Sequence, residues 1–231
     1  VLMDGRAEME THPLLDLKTL RIPTFRASEA MAGAMLRLTI NATPFLLPLM
    51  FQVGFGLDPL AAGGLVLVYF LGNLLMKTVT TPILRRFGFR NVLAVNGTLA
   101  GLSIIACGLL GADTAYPLSF AVLFVAGLTR SMQFTALATL AFADVDGDKR
   151  SSASTLSSMF QQIAMVFGVA LAAAILNLSQ VVRSAPALEL HDFTIAFFVV
   201  GALCIAASLQ MATLPRDAGA EVSGHRRAQA A

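Results

Sequence analysis

A chain of 231 residues with 13% charged and 56% hydrophobic side chains, and a mean hydropathy of +0.74, lacks the polar surface of a water-soluble domain, where about a quarter of residues are charged. Lipid is therefore its solvent. The formal charge of +2 gives no ground for a nucleic-acid partner, and Cys107 and Cys204, both in long apolar runs, fit neither a disulfide framework nor a zinc site and read as small buried residues.

The first 28 residues are polar and mixed in charge, without the continuous apolar core of a secretory signal. The chain opens on Val1, which reads as a processed product or a fragment. Pro13-Leu-Leu-Asp-Leu-Lys-Thr-Leu-Arg-Ile-Pro23 suits a short helix at the membrane interface, or a linker that happens to hold leucines; residues 1–29 are accordingly a connector. Six stretches then have the roughly 20 apolar residues a membrane-crossing helix needs: 30–51, 60–81, 92–111, 116–141, 155–177 and 193–214. Period-2 alternation, the mark of a membrane barrel, is missing. The expected fold is an all-α bundle of six transmembrane helices over 30–214, and the small, polar residues 215–231 read as a disordered tail.

The basic residues set the orientation. Arg6, Lys18, Arg21, Arg26, Arg85, Arg86, Arg90, Lys149, Arg150, Arg216, Arg226 and Arg227 fall on one side of the six spans, and Arg183 alone falls on the other. That asymmetry makes both termini and the loops near 85 and 147 cytoplasmic, with Asp58, Asp113 and the 178–192 loop facing out.

Arg37, Lys77 and Arg130 are the charged residues inside the expected spans. A charge near mid-membrane costs at least ~2.5–3.5 kcal/mol and must meet a partner or a wet cavity. Arg37 shares a helical face with Asn41, Pro44 and Pro48, and the two prolines loosen the backbone there, as in helices that line transporter cavities; the alternative is that Arg37 snorkels to the inner headgroups. Arg130 lies too deep to snorkel, with Gln133 and Gly127 on the same face. No carboxylate falls within any of the six stretches, so its counter-charge must come from backbone carbonyls, a loop acid, a substrate or another domain. Tyr69, Asn73 and Lys77 form a stripe that either lines an inner vestibule or ends in a snorkelling lysine. Ser154, Ser158 and Gln161 or Gln162 share a face of the fifth span, as substrate contacts or as interhelical glue. Gly168 with Ala172, and Gly97 with Gly101, are small-residue pairs that permit close helix approach.

Asp144-Val-Asp146-Gly-Asp148 fails as a calcium loop, because its glycine comes fourth rather than sixth and Thr155 stands where the closing Glu is needed. His12, His191 and His225 stand alone. With no metal set, no nucleophile–base pair and no glycine-rich phosphate loop, the sequence gives no case for an enzyme.

Three stretches resemble the last six helices of the fourteen-helix drug:proton antiporters (EmrB/QacA-like) of the major facilitator superfamily. His12 through Arg26 resembles the connector entering the C-terminal bundle. Lys77-Thr-Val-Thr-Thr-Pro-Ile-Leu-Arg-Arg-Phe-Gly-Phe-Arg90 is similar to the basic turn between second and third helices, placing Arg85, Arg86, Gly88 and Arg90 in that turn. Ser151 through Leu176 resembles the penultimate helix. The resemblance implies a bundle of two inverted three-helix repeats in a bacterial inner membrane, and export of amphipathic compounds driven by a proton gradient with no bound cofactor. It also implies a partner: an N-terminal bundle of the same transporter that holds the proton-handling acid. A non-transporting membrane subunit, or a half-size transporter working as a homodimer, are the alternatives.

Overall fold

The computed structural model describes residues 17–215 and 217–223. Among them there is no strand, and six helices are long and apolar enough to cross a membrane.

A 3-10 turn at Leu17–Arg21 leads into α1 (Pro23–Glu29), which starts on a proline whose missing N–H costs nothing at a first helical turn. After a break at Ala30 and Met31 the chain enters α2 (Ala32–Leu49). Pro44 and Pro48 lie inside α2 and remove two donors from its backbone ladder, and the helix ends in a widened π-type turn, Met50–Gly54. Asp58 caps α3 (Pro59–Met76), accepting hydrogen bonds from the N–H groups of Leu60 and Ala61 at 2.9 and 3.1 Å. In α4 (Thr80–Gly108) the helix is kinked at Gly88, whose φ of 73° and ψ of 162° suit glycine alone. Then come α5 (Tyr116–Ala141), α6 (Arg150–Val182), α7 (Leu190–Met211) and a final turn, α8 (Ala220–Ser223).

Three boundaries differ from the sequence reading. The first membrane-crossing unit starts at Pro23 instead of residue 30, so it contains a carboxylate, Glu29. Where an interfacial helix was expected over 13–23, the described part is a 3-10 turn followed by the start of α1, with Phe25 packed on Ala141, Val145, Ala153 and Leu156; residues 13–16 lie outside the described residues. The expected disorder from Pro215 onward does not hold over 217–223, which turn back so that α8 lies against α4 and Gly219 abuts Phe89 and Leu140. The rest of that tail is outside the described residues.

In lipid, apolar side chains gain nothing by leaving the bilayer for each other, so close backbone approach and interhelical hydrogen bonds hold such a bundle together. Small residues supply the approach here. A Cβ added at Gly127 of α5 would lie 1.9 Å from the Tyr69 carbonyl oxygen of α3, and one at Gly72 of α3 would lie 2.2 Å from that of Phe124 of α5. Gly101 of α4 and Gly201 of α7 meet in the same way, and Gly168 of α6 abuts the Leu38 carbonyl of α2.

The most extensive contacts follow a symmetry, from which the α6–α7 contact departs. Exchanging α2, α3 and α4 with α5, α6 and α7 turns the α3–α5 contact into α6–α2 and the α4–α5 contact into α7–α2, and leaves α4–α7 on itself. The bundle is thus two three-helix repeats of inverted topology. Two helices are left half-covered: 22% of the most apolar stretch of α3 and of α6 is buried, against 50% or more in the other four.

Candidate functional site

The polar groups inside the bundle fall into three settings along α2, α5 and α6. The deepest is built on a proline. Pro44 has no N–H to offer the Ile40 carbonyl one turn back, and Arg130 of α5 reaches across to that oxygen through Nε at a long 3.4 Å. Arg130 is half-buried and has no carboxylate partner within salt-bridge distance among the described residues. Beside it, Tyr69, Thr43 and Thr129 line a cavity of about 10 Å³, room for about one water. The Thr43 hydroxyl there is buried and has no hydrogen-bond partner among the described residues. Two residues singled out by sequence, Pro44 and Arg130, are therefore joined by one contact, with Tyr69 next to them.

The second setting is at the basic end of the bundle, where the loops carrying Arg85 and Lys149 lie. Arg37 is wholly buried and does not line open space. Its Nη2 donates to Glu29 Oε1 at 2.7 Å, its Nε to the Ser28 carbonyl at 3.4 Å, and its guanidinium lies 5.6 Å from the Phe134 ring. Ser157 of α6 donates to the same Glu29 oxygen at 2.8 Å, and Gln161 donates to Ser157 at 3.2 Å. The chain Gln161, Ser157, Glu29, Arg37 thus ties α6, α1 and α2 together. Glu29 and Ser157 escaped the sequence reading. Glu29 stood one residue outside the expected first span, and the available signal was Pro23, which marks the true helix start.

The third setting is the bare side of α6. Ser158 and Gln162 are exposed and, with Ser151, Ser154, Thr155 and Met159, line an open groove of about 750 Å³. Asn41, half-buried on α2, approaches Gly168 on the covered side of the same helix.

Of the remaining sequence candidates, some join neighbouring helices and others stand exposed. Gln133 is buried, donating to the Leu93 carbonyl at 3.1 Å and accepting from Asn96 at 3.0 Å, so it joins α5 to α4. Asn73 is half-buried where Gly127 approaches α3, and Lys77 is exposed at the end of α3. In the basic turn Arg85 and Arg86 are exposed, Gly88 forms the kink, and Arg90 donates to the Ala212 carbonyl at 2.7 Å, closing the end of α7.

At the opposite end, missed by sequence reasoning, Asp192 near the start of α7 is wholly buried and fully engaged. Oδ1 accepts from Ser179 and from Arg183 Nε, and Oδ2 accepts from Arg183 Nη2 and the Glu189 N–H. With Glu189 as the reciprocal partner this is a capping box welded to the end of α6.

An integral membrane protein of inverted three-helix repeats, with cations inside and a polar groove along one helix, has the build of a membrane carrier bundle. The chain belongs to the Major Facilitator Superfamily, which it matches over residues 30–229. It is similar to the "Putative multidrug resistance protein MdtD" of Escherichia coli O6:H1, 32% identical over 233 aligned residues that cover 97% of this chain and 48% of the relative. It is also similar to the "Probable transport protein HsrA" of Haemophilus influenzae, 32% identical over 174 residues, 75% of this chain and 37% of that protein. Against MdtD of Escherichia coli O45:K1 the identity is 35% over 178 residues, 74% and 36% of the two chains. The chain thus spans about half the length of these relatives or less.

Proposed function

We propose that this chain is the C-terminal half of a proton-coupled exporter of drugs or amphipathic metabolites, working by alternating access in the manner of the fourteen-helix EmrB/QacA-like antiporters. The observation that carries the reading is the polar stripe of α6. Ser158 and Gln162 stand exposed on the part of α6 that crosses the membrane, and Ser151, Ser154 and Thr155, the last bonded to the Ser151 carbonyl, continue the stripe toward the basic end; hydrocarbon offers the open groups no partner outside their own helix. They belong against water, substrate or another bundle. An N-terminal six-helix bundle of the same transporter, set over α6 and α3, would turn the groove into one wall of a central cavity. The basic end would then face the cytoplasm of a bacterial inner membrane.

In this reading Arg130 serves the cavity. It is half-buried, and a carbonyl left free by Pro44 holds it at long range. Guanidinium donors remain for a polar group of the substrate or an acid of the partner bundle. The name of two relatives, "Putative multidrug resistance protein MdtD", supports the substrate class. The test is Arg130→Ala in the full-length protein, read as ethidium efflux from cells alongside the amount of folded protein in the membrane. Efflux falls at least about tenfold while folded protein stays within about twofold, since one long hydrogen bond is worth about 1 kcal/mol or less to stability. Unchanged efflux removes Arg130 from the transport path, and loss of the folded protein makes it a structural residue.

A further inference from the structure

Two acids are wholly buried in the membrane-crossing helices, Glu29 and Asp192, and they are held in opposite ways. Both oxygens of Asp192 accept two hydrogen bonds each, from Ser179, from two nitrogens of Arg183 and from the Glu189 N–H. That carboxylate is saturated, and a proton on it would have to break a bond to Arg183 or to its cap. On Glu29 every donor converges on Oε1, with Arg37 Nη2 at 2.7 Å and Ser157 at 2.8 Å. Its second oxygen, Oε2, is buried with no hydrogen-bond partner among the described residues, as are Arg37 Nη1 and the Ser28 hydroxyl. An ionised oxygen out of water with nothing donating to it is costly, and a proton placed there neutralises it while the donors stay on Oε1, at the expense of the charge attraction to Arg37.

From this asymmetry we infer that Glu29 is a proton-binding site, with Oε2 as the atom that takes the proton and Oε1 as the anchor to Arg37 and Ser157. The step is simple addition. Hydronium at the basic end gives its proton to the carboxylate, leaving water and a neutral carboxyl. The elements packed on α1 surround the site, and Arg21 of the 3-10 turn among them is exposed. Arg37 of α2 is the charged group that meets Glu29, and α6 presents Ser157. Phe134 of α5 covers the far side of the guanidinium. Asp144, beyond the end of α5, is held away on Thr24 at 2.8 Å, and Arg26 of α1 is exposed. Protonation cancels the charge that Arg37 answers, so the grip of α2 on α1 weakens. Since α1 opens the first membrane-crossing unit ahead of α2, the protonation state of Glu29 sets how firmly α1 is seated. This rests on the exporter reading for its physiological use, but not for its chemistry.

Carbodiimide labelling of the unmodified full-length protein in membranes tests the chemistry. Dicyclohexylcarbodiimide adds to protonated carboxyls in apolar surroundings, and mass spectrometry locates the adduct. Expected is an adduct on Glu29 whose rate falls by up to about tenfold per unit rise in pH, with Asp192 unmodified. Glu29 unmodified at all pH values, or labelled no faster than Asp192, overturns the proposal. A second measurement reads its use: in proteoliposomes, Glu29→Gln loses at least about tenfold of the ethidium transport that an imposed pH gradient drives in wild type, and Glu29→Asp, which keeps a titrating group, recovers part of it. Full pH-gradient drive in Glu29→Gln overturns the proposal and leaves the exporter reading standing. Labelled Glu29 in a wild type without proton-driven transport supports the proton site and removes the exporter reading.

Discussion

The seam between α4 and α7 and the bare side of α6 draw on the same small and polar residues, yet they end in opposite settings. Along the seam, Gly97 and Gly101 meet Ser208, Gly201 and Ile205 at distances no added side chain could share, and Ser208 donates to the Cys204 carbonyl in its own helix. Every small group there has a neighbour. Along α6, Ser154, Thr155, Ser158 and Gln162 stand in the open, while the covered side of the same helix packs Gly168 and Ala172 against α2 and its neighbours. The bare side of α3 differs again, because Leu67, Phe70, Leu71 and Leu74 are apolar and can meet lipid or another helix. One part of the bundle is therefore complete in this chain. The α6 stripe is open in this chain, and in the exporter reading proposed above its counterpart is water, a substrate or another bundle.

Substitutions separate the two parts by size of effect. The largest is expected at Arg37, wholly buried where α1, α2 and α6 meet. Arg37→Leu leaves Glu29 buried without its counter-charge, and breaking a buried pair costs about 3–5 kcal/mol. Thermal unfolding in detergent should show it, and the double variant with Glu29→Leu should recover most of the loss. Next comes Gly101→Leu in the seam, where a Cβ would already stand 2.8 Å from the Gly201 carbonyl oxygen. Forcing the helices apart costs about 1–3 kcal/mol, visible in the same assay. Smallest is Ser158→Leu on the open stripe. Unfolding should move by no more than about 0.5 kcal/mol, while ethidium efflux from cells falls severalfold. A Ser158→Leu variant as unstable as Gly101→Leu would erase the contrast.

Much of this was readable in the sequence, for physical reasons. Length and apolarity set the six spans, because a bilayer demands about 20 apolar residues per crossing. Glycine spacing marked the close approaches at Gly97, Gly101 and Gly168, since a missing Cβ is legible in one dimension. Pro44 and Arg130 stood out as a broken ladder and a deep charge, but their connection through the Ile40 carbonyl needed the fold, being a contact between residues 90 positions apart. Gln133 read as sharing the face of Arg130, because sequence gives a face but not what packs there; Asn96 and the Leu93 carbonyl occupy it. Glu29 was lost to a hydropathy boundary, which tracks where apolar residues begin rather than where a helix does. Ser157 was hidden among serines on both sides of α6, of which only one meets an acid.

Cysteine accessibility along α6 bears most directly on whether its bare stripe faces water. Cys107 and Cys204 are both buried, so the native background is low. Single cysteines at Ser154, Ser158 and Gln162, and at Phe167 and Leu178, exposed on α6 outside the groove, would be exposed to a charged, water-soluble maleimide in intact membranes of the full-length protein. Expected is rapid labelling at the first three positions, slowed by added ethidium, and slow labelling at Phe167 and Leu178. Equal, slow labelling at all five would place the stripe in lipid or in a dry helix contact and contradict the reading of α6 as a cavity wall.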